Sequence, residues 1–138
     1  MRVLLLLICL SFPTGAAAQI QDSIFRNYNS YAAFVDEMVK KRDFAELVRV
    51  LGGRDEYTEE EIAGFMRQFL NLYKADFPYS AVINVQELGS GFRKEMRVYW
   101  TDGLNYLYYY AFLHDRGDRL VVLEFNVNSD ADVIFSKF

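Results

Sequence analysis

The stretch Leu104-Asn105-Tyr106-Leu107-Tyr108-Tyr109-Tyr110-Ala111-Phe112-Leu113-His114 decides how this chain is read. Successive side chains of a strand point to opposite faces of its sheet. Tyr106, Tyr108, Tyr110 and Phe112 fall on one parity, and Leu107, Tyr109, Ala111 and Leu113 on the other, so both faces are apolar or aromatic. A strand covered on both faces sits inside a sheet rather than at its edge.

The neighbouring segments supply the partners. Before it, Phe92, Met96, Val98 and Trp100 share one face, interrupted by Lys94, against Arg93, Glu95, Arg97 and Tyr99 on the other. Thr101-Asp102-Gly103 joins the two strands with the Asp-Gly pair that tight hairpins favour. After the turn at Asp115-Arg116-Gly117-Asp118, Val121, Leu123, Phe125 and Val127 alternate with Leu120, Val122, Glu124 and Asn126. Upstream, Tyr79, Ala81, Ile83 and Val85 mark one face of a first strand that ends at the turn Gly89-Ser90-Gly91. Four antiparallel strands in a meander follow. Asn128 to Asp132 reads as a loop, and Val133-Ile134-Phe135 with Phe138 as an apolar tail that packs on something or marks a contact site.

Ahead of the strands the period changes. Over Ser23 to Lys41, Tyr28, Tyr31, Val35, Met38 and Val39 recur at helical steps. Lys40-Lys41-Arg42 sits at the carboxyl end, where cations complement the helix dipole. Asp43 is an N-cap for a short second helix whose apolar face is Phe44, Leu47, Val48 and Leu51, ended by Gly52-Gly53. Thr58 with Glu61 forms a capping box for a third helix, lined by Ile62, Phe65, Met66, Phe69 and Tyr73 and closed by Phe77-Pro78. Helices that precede strands in sequence give an α+β fold, with three N-terminal helices packed on an antiparallel sheet of about four strands.

Composition narrows the function. Of the 138 residues, 1–18 read as a cleaved signal peptide: Arg2, an apolar run from Val3 to Leu10, Pro13, then Ala16-Ala17-Ala18. The apolar run is too short to cross a bilayer. Cleavage after Ala18 leaves one α+β domain over 19–138, periplasmic or secreted, with no later integral membrane span. The one cysteine, Cys9, leaves with the signal, which removes disulfides, a thiol nucleophile and cysteine-based zinc sites. An exported domain without disulfides suits a bacterial periplasm. The formal charge of −4, with no basic patch, disfavours nucleic acid. Nothing in the sequence calls for a cofactor or a metal. Asp55, Glu56, Glu59, Glu60 and Glu61 match no calcium loop, and the acids of the first helical turn answer the helix dipole.

The order of helices and strands, with Lys41-Arg42-Asp43-Phe44-Ala45-Glu46-Leu47-Val48 after the first helix, resembles the NTF2-like (cystatin-like α+β) superfamily. The resemblance implies a strongly curved sheet, a cone with a pocket at its mouth, and dimers through the open sheet face. This chain departs from the commonest layout in having a single strand between the third helix and the hairpins, and in its C-terminal tail. The superfamily holds isomerases, dehydratases, cyclases and non-catalytic domains, so the fold leaves the function open.

Two function classes follow. The first is a non-catalytic binding module of the cell envelope, taking a protein partner or a hydrophobic or aromatic small ligand on Tyr106, Tyr108, Tyr110 and Trp100. The second is a cofactor-independent pocket enzyme of the isomerase or cyclase type, with His114 as general base and Tyr108 or Tyr110 as proton donor.

Overall fold

The computed structural model describes residues 21–138, so the signal peptide read over 1–18 lies outside the described residues. The elements run β1 (Ile24–Phe25), α1 (Tyr28–Lys40), α2 (Phe44–Val50), a 3-10 turn (Gly53–Asp55), α3 (Glu59–Leu72), β2 (Tyr79–Gly89), β3 (Phe92–Trp100), β4 (Tyr106–Asp115), β5 (Leu120–Asn128) and α4 (Ala131–Phe135). The strands form one open antiparallel sheet in the order β1-β5-β4-β3-β2. The fold is α+β, and β4 is its central strand, as its two apolar faces predict.

Two parts of the expected layout are corrected. Among the described residues there are five strands, and the first precedes the helices. The stretch from Ser23, read as the start of the first helix, instead turns at Ser23 (φ +66°) and lays Ile24 and Phe25 beside Val121 and Leu120. The helix waits for its cap: the Asn27 side chain accepts from the Ser30 N–H at 2.9 Å, and the Ser30 hydroxyl answers the Asn27 N–H. There is also a fourth helix, where a loop and tail were expected. The Asp130 side chain accepts from the Asp132 N–H and opens α4, which is too short to show a helical period in sequence. The third helix ends at Leu72, short of Phe77-Pro78. Phe77 N–H then donates to the Lys40 carbonyl, tying the start of β2 to the end of α1.

The helices α1, α2 and α3 cover one face of the sheet, called here the inner face. Leu107, Tyr109, Ala111 and Leu113 of β4 pack there against Tyr31, Val35 and Val39 of α1 and Phe44 and Leu47 of α2. The outer face is covered locally by α4, whose Ile134 is fully buried against Met96 and Tyr110, with Phe112 and Phe138 around it. The apolar tail, expected to pack on something or mark a contact site, thus packs on its own sheet through Ile134 and Phe138. Lys94 Nζ donates to the Lys137 carbonyl at 2.6 Å and holds it there.

Register shifts break strict alternation at Ile83 and Leu88 in β2 and at Leu123 in β5. In β2 the register shifts at Ile83, which leaves Tyr79 and Ala81 on the outer face and Val85 on the inner one. In β5 it shifts at Leu123: Leu120 and Val122 face inward before it, and Phe125 and Val127 face inward after it. One extra residue exchanges the two parities. Gly91 shows how tightly the β2–β3 turn is held, since a Cβ there would run into the Asp115 carbonyl oxygen, and its φ of +82° disfavours any side chain.

Ile134→Ala opens a cavity under α4. The expected cost is about 2 kcal/mol or more, read as a lower urea midpoint with the helical and strand circular dichroism retained.

Candidate functional site

The structure separates the residues that the sequence puts forward. Trp100, Tyr106, Tyr108, Tyr110 and His114 all lie on the outer face, opposite the three N-terminal helices. Trp100 stacks on Tyr79 at 5.6 Å and pairs across the strands with Tyr106, which is 44% exposed. Tyr110 is buried beneath α4, with Phe138 edge-on at 5.7 Å. His114 stacks on Phe92 with ring centroids 3.9 Å apart. Along one strand, four residues separate His114 from Tyr110, about 13 Å at 3.3 Å per residue, too far to share a reacting atom.

The inner face holds a polar cluster that the sequence reading passed over. Arg93, Glu95, Arg97 and Tyr99 of β3 point beneath α1. Glu95 is 0% exposed and Arg97 4%. The Glu95 carboxylate accepts from Tyr28 Oη at 2.8 Å, Tyr31 Oη at 3.1 Å and Arg97 Nε at 2.7 Å, with Arg93 Nη2 at 3.3 Å. Arg97 donates onward from Nη1 to Asp36 at 3.2 Å and from Nη2 to Tyr28 Oη at 3.0 Å. Tyr99 Oη donates to Asp36 at 2.7 Å, and Tyr109 Oη lies 3.0 Å from Tyr31 Oη. Burial holds the phenols of Tyr31, Tyr99 and Tyr109 protonated well above their ordinary range, helped by the Glu95 charge at Tyr31 and by the hydrogen bond to Asp36 at Tyr99.

The cluster pairs its charges internally, and among the described residues only Arg93 Nε is buried without a hydrogen-bond partner. Each charge meets its opposite, and Tyr28 lies under the Arg93 guanidinium at 4.5 Å. Its open end is a depression of about 200 Å³ between Tyr28, Arg93, Leu113 and Leu120, where Glu87 and Asp115 offset the Arg93 charge. The sequence signal for it was present: Arg93, Glu95 and Arg97 share the strand face that adjoins a central strand, and such a face is covered.

A larger pocket of about 310 Å³ opens between α2, α3 and β5. Its helical wall is Phe44, Leu47, Val48, Leu51, Phe65 and Phe69, and its sheet wall is the run Val122 to Val127. Tyr57 stands at the lip, edge-on to Phe65 at 5.1 Å. Phe44 and Phe69 contact each other at 4.6 Å and form part of the floor. Helical periodicity found the apolar face of each helix, and only their packing left a space between them. Two acidic residues at the start of α3, near this pocket, are used structurally. Glu61 caps α3, and the Thr58 N–H and hydroxyl hold its carboxyl below the usual range. Glu59 binds Arg49 at 2.8 Å.

Comparisons with protein-family models, curated proteins and solved structures found no match. Among the described residues no group of three His, Cys, Asp or Glu side chains could hold a metal ion, and no helix is long and apolar enough to cross a membrane.

Two outcomes are expected of the polar cluster. Glu95→Ala leaves Arg97 buried beside an uncompensated space and costs about 3–5 kcal/mol in chemical denaturation. The second concerns alkaline pH. The folded state keeps the protons of Tyr31, Tyr99 and Tyr109, whereas the unfolded chain gives them up near the ordinary value of 10.0. Their contribution is therefore whole below that value and drains as pH rises toward the folded values. Stability falls above it by about 1.4 kcal/mol per pH unit for each such tyrosine. Urea midpoints measured across this range, with phenolate absorbance followed in parallel, should show these phenols ionising together with unfolding.

Proposed function

We propose that this chain is an exported, non-catalytic binding domain of the bacterial cell envelope, of NTF2-like architecture, and that its ligand enters the apolar pocket between α2, α3 and β5. The pocket itself carries this reading. It is lined mainly by aromatic and aliphatic side chains, with a few polar groups at its rim, the usual character of a ligand site. Its volume of about 310 Å³ suits a small apolar body or a pair of side chains. The leader read over residues 1–18 and the lack of cysteine after it support export to an envelope without disulfide chemistry.

The enzyme reading rested on His114 with Tyr108 or Tyr110. His114 packs on Phe92 at the far end of the outer face, and Tyr110 is enclosed under α4. Neither side chain lines the pocket. The binding reading is the better supported of the two.

The full chain, expressed in a bacterium and recovered from its periplasm, should begin at Gln19 by N-terminal sequencing. The neutral apolar dye Nile red should bind it in a one-to-one complex and raise its melting temperature. Phe65→Ala, at the pocket's half-exposed wall, should weaken the dye by about tenfold, equivalent to about 1.4 kcal/mol, without unfolding the protein. A chain that neither binds the dye nor gains thermal stability would sink the reading.

A further inference from the structure

The pocket has one wall that a small apolar ligand leaves unused. Side chains from one face of a strand would line a pocket at every second residue. Here Val122, Leu123, Glu124, Phe125, Asn126 and Val127 all contribute. A pocket that meets consecutive residues faces the strand's edge, where backbone N–H and C=O groups lie. Among the described residues, β5 is covered on that edge only by the two residues of β1, opposite Leu120 and Val121, and by the Ser23 carbonyl, which accepts from Val122 N–H at 2.8 Å. Past Val122, no strand among the described residues pairs with it.

The reason lies at Ser23. A continuing β1 would run along the free edge. The chain turns away instead, with φ of +66° at Ser23. Ser23 N–H donates to the Val50 carbonyl at 2.7 Å, its hydroxyl donates to the Leu51 carbonyl at 3.1 Å, and Asp22 is bound to Arg54 at 2.7 Å. The end of α2 therefore holds the chain off the line of β1. Gly52 makes room for this turn, since a Cβ on it would strike the Ser23 hydroxyl. What remains is an unpaired strand edge beside an apolar groove, with Leu123, 48% exposed, at its lip.

We infer that this groove takes an extended peptide segment of a partner protein, which adds to the sheet as a strand antiparallel to β5 and in line with β1. The inference rests on the pocket proposed above as the ligand site and names its ligand class. The edge chooses the chemistry. An acyl chain or aromatic ligand can fill the groove but cannot pair the backbone groups of β5, and unpaired groups shielded from water are costly. A peptide strand pairs them and sends alternate side chains into the groove. Glu124 to Asn128 pair regularly with β4, so the edge offers about 17 Å, five residues at 3.4 Å each. Small or branched apolar side chains suit the inward positions, against Leu47, Val48 and Phe69. The exposed Glu56 at the rim and the chain's net charge of −4 favour lysine or arginine at the flanks.

The test uses the full chain exported as above and the peptide acetyl-Lys-Thr-Val-Thr-Phe-Thr-Val-Thr-Lys-amide. Two further peptides carry N-methyl groups, one on the threonine amides and one on the valine and phenylalanine amides. An added strand turns only alternate N–H groups toward its neighbour. The parent peptide should displace Nile red and slow hydrogen exchange at the amides of residues 124–128. One methylated peptide should lose at least about tenfold in affinity, and the other should bind like the parent. If the dye binds and the peptide fails to displace it, or if both methylated peptides bind equally, the strand inference is overturned while the pocket reading stands. If dye and peptide both fail to bind, both fall. A concentration-dependent dimer that protects the same amides, seen by sedimentation and hydrogen exchange, assigns the edge to a second copy and also overturns the inference.

Discussion

The carboxylate of Glu95 fixes how this fold is assembled. It lies on the inner face of β3, wholly enclosed, and a buried charge of that kind is tolerable only when paired and hydrogen-bonded. Its donors come from two directions. Tyr28 and Tyr31 reach it from consecutive turns of α1, and Arg97 from two residues along its own strand. Apolar packing is tolerant of small slides, whereas these bonds are directional. They set the register of α1 against the sheet, and Asp36, bound by Arg97 and Tyr99 two turns on, fixes it at a second point. Replacing such a cluster by apolar groups of similar volume can be neutral in stability, so its value here is positional.

With α1 fixed, the position of α2 and α3 follows. Asp43 caps α2 directly after α1, and Arg42, at φ +61°, binds Asp76 and the Tyr73 carbonyl at the far end of α3. The two helices are thus held beside β5. They approach the strand but do not close on it, because the bulge at Leu123 and the turn at Ser23 keep side chain and backbone out of the space between. The pocket is the gap between α2 and α3, positioned by α1, and a strand edge from which the chain before β1 turns away.

Much of this could be read in advance, and each success has a local cause. The capping boxes at Thr58 and the cap at Asp43 are contacts within four residues, so their sequence signature is the interaction itself. The central place of β4 followed from apolar residues on both parities. The failures also have causes. A bulge adds one residue to a strand without altering its composition, so the alternation of Tyr79 to Val85 and of Val121 to Val127 was read through Ile83 and Leu123 as if unbroken. Two residues of β1 and five of α4 are too few to carry a period. The tyrosines of β4 drew attention as a group, although Tyr109 belongs to the helix-covered core and Tyr108 and Tyr110 to the face under α4.

The sequence by itself determined the fold class and the element that would be central, because each depends on composition or on the spacing of near neighbours. Only the tertiary structure decided which face of β3 carries buried charge, which face of β4 meets the three helices, and where a pocket opens. Those outcomes depend on residues such as Tyr28 and Glu95, or Ser23 and Val122, that are far apart in the chain and meet only when the sheet is formed. A pocket is space left between packed elements. No run of residues encodes it until the helices and the strand that bound it have been set by contacts elsewhere.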